Sequence, residues 1–90
     1  MDQKAIQVFK EKLEDQHEFP GPYLFKFIVP VDKVNEVIEL FEDYKDANIA
    51  QKESSKGTYK SVTAKVSVKT SDEIIELYIA AKKIEGIISL

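Results

Sequence analysis

Ser54-Ser55-Lys56-Gly57-Thr58-Tyr59-Lys60-Ser61-Val62-Thr63-Ala64-Lys65-Val66-Ser67-Val68 is the stretch whose reading decides the fold. Its first four residues are a hairpin signal, with Gly57 supplying the permissive backbone that a three- or four-residue connection needs. After the turn, Tyr59, Ser61, Thr63, Lys65 and Ser67 alternate with Val62, Ala64, Val66 and Val68. A two-residue period of this kind predicts a strand with one wet face and one core face. The segment around Asn48 to Glu53 reads as the strand before the turn, and its polar Gln51, Lys52 and Glu53 suit an edge strand defended by charge.

Working outward, Tyr23 to Val29 is apolar on both sides, as a central strand should be. Its one charge, Lys26, assigns the faces: Tyr23, Phe25, Phe27 and Val29 go inward, and Leu24, Lys26 and Ile28 outward. Between this strand and the hairpin, Asp32 is a plausible N-cap for a helix whose stripe is Val34, Val37, Ile38, Phe41 and Tyr44. On the far side of the hairpin, Thr70-Ser71-Asp72-Glu73 has the form of a capping box. The helix it opens carries Ile74, Leu77, Tyr78, Ala81 and Ile84, with Lys82 and Lys83 in its last turn and Gly86 as its C-cap. Ile87 to Leu90 is a short last strand. At the other end of the chain, residues 2–16 place Ile6, Phe9 and Leu13 on a narrow helical stripe, and Phe19-Pro20-Gly21-Pro22 stops that helix before the first strand.

After the leading helix the order is therefore strand, helix, strand, strand, helix, strand. This is an α+β pattern of ferredoxin-like βαββαβ type. Right-handed crossovers place the long hairpin strand between the first two, for an antiparallel sheet of order 4-1-3-2 with both helices on one face. The chain divides into an N-terminal amphipathic helix and connection, 1–17, and a ferredoxin-like domain, 18–90. The opposite sheet face is left open, carrying Leu24, Lys26 and Ile28 beside Ser61, Thr63 and Lys65, a row too apolar to be purely solvating.

With 90 residues and 43% hydrophobic content, one core can be closed and two cannot. The absence of cysteine excludes disulfides, thiolate nucleophiles and zinc–thiolate sites, and fits a reducing, cytoplasmic setting. The polar start Met-Asp-Gln-Lys lacks the apolar stretch of a secretory signal, and no apolar run is long enough for a bilayer. The net charge of −3 is unevenly spread: residues 1–46 hold 11 acids and 6 lysines, residues 47–90 hold 5 acids and 7 lysines. All basic residues are lysine, so there are no guanidinium forks for phosphate or guanine, which argues against dedicated nucleic-acid binding.

Phe19-Pro20-x-Pro22-Tyr23-x-Phe25-Lys26, Ser54-Ser55-Lys56-Gly57-x-Tyr59-x-Ser61-Val62, and Leu77-Tyr78 with Ile84 together resemble the YbeD-like family of small bacterial proteins of unknown function. The resemblance covers nearly all of residues 18–90. It implies similarity in fold to ACT-like regulatory domains, which sense small molecules at interfaces between paired domains. It brings no catalytic residues.

Two readings of the hairpin stand side by side. Ser54, Ser55, Lys56 and Gly57 have the donors of an anion-binding nest, extended by Tyr59, Ser61 and Lys26, and they are equally good turn residues with no ligand at all. His17, between Asp15 and Glu18, lacks the fixed surroundings that metal or acid–base chemistry needs. The acids Glu36, Glu39, Glu42, Asp43 and Asp46 read as a solvated helix face. Lys56-Gly57-Thr58-Tyr59-Lys60-Ser61-Val62 begins like an RNA-recognition motif, but threonine and lysine stand where stacking rings belong.

The expectation is thus a small cytoplasmic binding or regulatory module without catalysis, metal or cofactor. It would act on a small molecule or a protein, with a homodimer among the options, through the hairpin residues and an interaction face of Leu24, Ile28, Thr63 and Lys65. Weak RNA binding through the basic hairpin and sheet face is the alternative.

Overall fold

A computed structural model describes residues 2–54 and 56–90. Its central element is the expected long strand. Here β1 (Gly21–Pro30) pairs antiparallel along its whole length with β3 (Tyr59–Val68), from Gly21 opposite Val68 to Pro30 opposite Tyr59. On the other flank of β3 lies β2 (Asn48–Glu53), with Asn48 opposite Lys65 and Glu53 opposite Lys60. The short β4 (Ile88–Ser89) pairs with Phe27 and Ile28 of β1, and Leu90 extends the ladder by donating its N–H to the Lys26 carbonyl at 2.9 Å. The sheet order is β2-β3-β1-β4, which counted from the opposite edge is 4-1-3-2.

The predicted alternation appears directly as burial. Val62, Ala64, Val66 and Val68 of β3 and Phe25, Phe27 and Val29 of β1 are all buried. They meet Val34, Val37 and Phe41 from one helical segment and Ile74, Ile75, Leu77, Ala81 and Ile84 from another. Helices α2 (Val34–Glu39) and α3 (Ser71–Ala81) both contact β3 on this face, so the architecture is an α+β sandwich with helices on one side. Aromatic contacts knit the centre: the Phe25 ring lies 5.2 Å from Phe41, 5.2 Å from Tyr78 and 4.8 Å from Tyr23.

Helix α1 (Gln3–Gln16) packs against α3. Asp2 caps it, accepting the Ala5 N–H at 2.7 Å, and Leu13 is buried in the core while Ile6 and Phe9 are partly buried against it. Polar ties reinforce the contact: the Ser71 hydroxyl donates to Glu14 at 2.9 Å, and Lys10 lies 3.1 Å from Asp72. Flanked by both the sheet and α1, α3 buries a wider arc than a surface helix, and Ile75, outside the predicted stripe, is buried as well.

Three local expectations are corrected. Asp32 is not an N-cap, because Val31–Lys33 form a single 3-10 turn and Lys33 occupies the cap of α2 without a side-chain hydrogen bond. α2 stops at Glu39, and Phe41 and Tyr44 reach inward from three-residue turns instead, with Phe41 N–H bonded to the Ile38 carbonyl and Tyr44 N–H to that of Phe41. At the end of α3, Lys82 is the C-cap and Gly86 lies four residues beyond it, in turns rather than at the helix terminus. The capping box at the other end forms as predicted: Glu73 accepts the Thr70 N–H at 3.1 Å and that of Lys69 as well.

Gly86 has φ +80°, and a Cβ placed there would stand 2.9 Å from Cγ of Pro30. The left-handed backbone alone costs a side-chain-bearing residue about 1–2 kcal/mol. Gly86→Ala is therefore expected to lower stability by at least that much, read as a fall in the urea midpoint at unchanged slope. An unchanged midpoint would mean the turn into β4 adopts another backbone.

Candidate functional site: the open sheet face

Residues directly opposite across an antiparallel ladder share a face, so the register fixes what the uncovered side presents. On β1 it carries Leu24, Lys26 and Ile28, which lie opposite Lys65, Thr63 and Ser61 of β3. These in turn face Asn48, Ala50 and Lys52 of β2. Ile88 of β4 sits opposite Ile28, and Leu90 lies beside Lys26. Leu24, Ile88 and Leu90 are 57%, 52% and 63% exposed. The face thus has an apolar half on β1 and β4 and a polar half on β3 and β2.

The charges on this face are all positive. Lys26, Lys52 and Lys65 are exposed, and every other side chain these rows present is neutral. Among the described residues the ion pairs are Lys10–Asp72, Lys33–Glu36 and Lys60–Glu53, none of which uses a lysine of the face. The carboxylates Glu36, Glu39, Glu42, Asp43 and Asp46 are exposed on and after α2, in the helical layer. The helical layer carries both signs, with Lys10, Lys33 and Lys82 among its acids, whereas the charged side chains of the open face are lysines alone.

The described part of the hairpin is closed by hydrogen bonds of its own. Ser54 donates its N–H to the Tyr59 carbonyl at 3.0 Å, and its hydroxyl accepts the Tyr59 N–H at 3.4 Å. The Gly57 N–H donates to the Ser54 carbonyl at 3.1 Å, with Gly57 at φ +72°. The Ser54 hydroxyl and the Ser54 and Gly57 N–H groups are therefore engaged in closing the turn. Ser54, Tyr59 and Ser61 line, with Ile28, a depression of only about 120 Å3, while Lys26 lies further along β1 and Lys56 and Gly57 are exposed at the tip. Ser55 lies outside the described residues. The structure thus brings Lys26, Ile28, Ser61, Thr63, Lys65 and Leu24 onto one face and leaves Lys56 and Gly57 outside it.

His17 packs edge-on against Tyr23, ring centroids 5.2 Å apart, and lines an open concavity of about 340 Å3 with Pro22, Tyr23, Leu24 and Lys65. Among the described residues no group of three or more His, Asp or Glu side chains is placed to share a metal ion. No helix among them is long and apolar enough to cross a membrane.

On the helical side of the sheet, the Tyr23 and Tyr78 hydroxyls meet at 3.2 Å. Burial raises the Tyr78 phenol well above the ordinary tyrosine value, helped by this hydrogen bond. Burial likewise raises Tyr44, whose hydroxyl donates to Glu73 at 3.3 Å. The pairing of Tyr23 with Tyr78 was not anticipated, although two tyrosines at inward positions carry a signal for it, since a buried phenol needs a partner.

Residues 14–90 match the family described as "Protein of unknown function (DUF493)". The chain belongs to this family. A UPF0250 protein of Pasteurella multocida is 34% identical over 80 residues, covering 84% of this chain and 91% of its own length. One from Haemophilus ducreyi is 38% identical over 80 residues, covering 84% and 82%. No solved structure matches the chain. The match to the family begins within α1, so Glu14 and everything the open face is built from lie inside the family region.

Proposed function

We propose that this chain is a small cytoplasmic docking module, without chemistry of its own, whose open sheet face receives an acidic, partly apolar surface or segment of a protein partner. The scaffold is a ferredoxin-like, ACT-like sandwich in this reading. The observation that carries it is the composition of one face: Leu24, Ile28, Ile88 and Leu90 beside Lys26, Lys52 and Lys65, with no Asp or Glu side chain in the rows. Apolar area supplies affinity, and uncompensated lysines select the sign of the partner and speed encounter. A two-fold pairing of this face with itself sets three lysines against three, which opposes a homodimer built here.

Amide-shift titration of the labelled protein with a synthetic alternating Leu-Glu peptide, against an alternating Leu-Lys peptide, tests this. The Leu-Glu peptide should perturb Leu24, Lys26, Lys65 and Ile88 and weaken with salt. The Lys26→Glu, Lys52→Glu, Lys65→Glu variant, altered only at exposed positions, should lose at least about tenfold in that affinity, equal to about 1.4 kcal/mol. Equal response to both peptides, or binding of polyuridylate in place of the acidic peptide with a steep salt slope, overturns the proposal, the latter in favour of nucleic acid. A concentration-dependent dimer in sedimentation, with the same residues perturbed, overturns it in favour of a second copy.

A further inference from the structure

A second concavity lies on the other side of the sheet, between α1, the end of α3 and β4. Phe9, Tyr23, Tyr78, Lys82, Ser89 and Leu90 line it, around a volume of about 330 Å3. That is within the span of small-molecule sites, about 300–1,000 Å3, unlike the depression at the hairpin. A larger hollow of about 450 Å3 lies along α1, lined by Asp2, Lys4, Ala5, Val8, Phe9 and Lys12 of that one helix, and Asp2 there is engaged in capping.

The walls of the cleft between α1 and α3 are aromatic and arranged as a box. The Phe9 and Tyr78 rings meet edge to face at 5.6 Å, and Tyr23 stands at 89° to Tyr78 at 6.4 Å. Its polar groups converge from three elements. The phenol pair uses one proton for its internal hydrogen bond, so a second O–H remains to donate to a visitor. Lys82 adds a cation at the end of α3, paired with no carboxylate among the described residues, and Ser89 adds a hydroxyl. No Asp or Glu side chain lines the cleft.

Flat apolar walls, one ammonium and hydroxyl donors are the complement of a ring bearing one carboxylate. We infer that the cleft formed by Phe9, Tyr23, Tyr78 and Leu90, with Lys82 beside it, binds a small aromatic carboxylate. The ring stacks or sits edge-on among the three aromatic side chains, and the carboxylate takes the Lys82 ammonium and the free phenol proton. The cleft shares only the edge residue Leu90 with the sheet face, and its other walls lie on the helical side, so it stands whether or not that face docks a partner.

Phenylacetate, phenylacetamide and acetate, titrated against the labelled full chain, test the inference. Phenylacetate should give saturable amide shifts at Phe9, Tyr78, Lys82 and Leu90, phenylacetamide should bind about tenfold more weakly, and acetate should leave those resonances in place. Lys82→Gln should weaken phenylacetate about tenfold, and Tyr78→Phe should weaken it measurably while the rest of the spectrum stays native. Phenylacetate without saturable shifts in the wild type, equal binding of acetate, or equal affinity in Lys82→Gln overturns the site. So do shifts that fall at residues 54–61 instead of the cleft.

Discussion

Truncating Phe25 to alanine is expected to lower stability by about 3–5 kcal/mol, the range for emptying a large ring from a packed core. Phe25 is fully buried, and its ring touches those of Tyr23, Phe27, Phe41 and Tyr78, which come from the strand itself, the turns after α2, and α3. None of these neighbours can fill the void without leaving its own contacts, so relaxation recovers little. A 90-residue chain has a total stability of roughly 5–13 kcal/mol. The variant therefore loses a large share of it, and chemical denaturation followed by circular dichroism measures the loss. A cost below about 1 kcal/mol would show that the sheet and helices do not meet at this ring.

The second large effect is expected at Leu13→Ala, at about 2–5 kcal/mol. Leu13 is 4% exposed, and it is the one residue of α1 that enters the core outright. The other ties of α1 to α3 are weaker in kind. Lys10 and Asp72 are 31% and 62% exposed in their side chains, and ion pairs of that sort contribute little. Without Leu13, α1 should detach before the sheet unfolds, so amide exchange should lose protection in residues 3–16 while β1 and β3 retain theirs. A full-strength α1 in the variant would mean that Phe9 on Tyr78, together with Glu14 on Ser71, suffices to hold it.

Strand periodicity was the most legible signal in this chain. Val62, Ala64, Val66 and Val68 face the core, and Tyr23 to Val29 divides its faces as Lys26 indicated, because a charged side chain in a central strand has one tolerable direction. The Thr70–Glu73 capping box was equally clear, since it depends on residues three apart in sequence. Helix length was not. Val34, Val37, Ile38, Phe41 and Tyr44 fit a continuous helix, yet after Glu39 the chain turns every three residues, and spacings of three and four serve both geometries. Likewise Gly86 reads as a helix cap locally, while its actual constraint is the approach of Pro30, fifty-six positions earlier.

For the candidate surfaces the division is sharper. Lys26, Ile28, Thr63 and Lys65 could be assigned to one face from alternation alone, but Lys52, Ile88 and Leu90 join them only through cross-strand register. The hairpin serines looked like donors for a ligand, and the folded turn engages Ser54 and Gly57 in its own closure.

The amino-acid order by itself determined where strands alternate, which side of each is apolar, where α3 begins and that lysine is the only permanent cation, because each of these depends on neighbours within a few residues. Only the tertiary structure decided that α1 lies on α3, that Tyr23 meets Tyr78 across 55 positions, and that three lysines share a sheet face without an Asp or Glu side chain. Those are encounters between distant segments, fixed by which apolar surfaces must be buried together, and no local period in the chain encodes them.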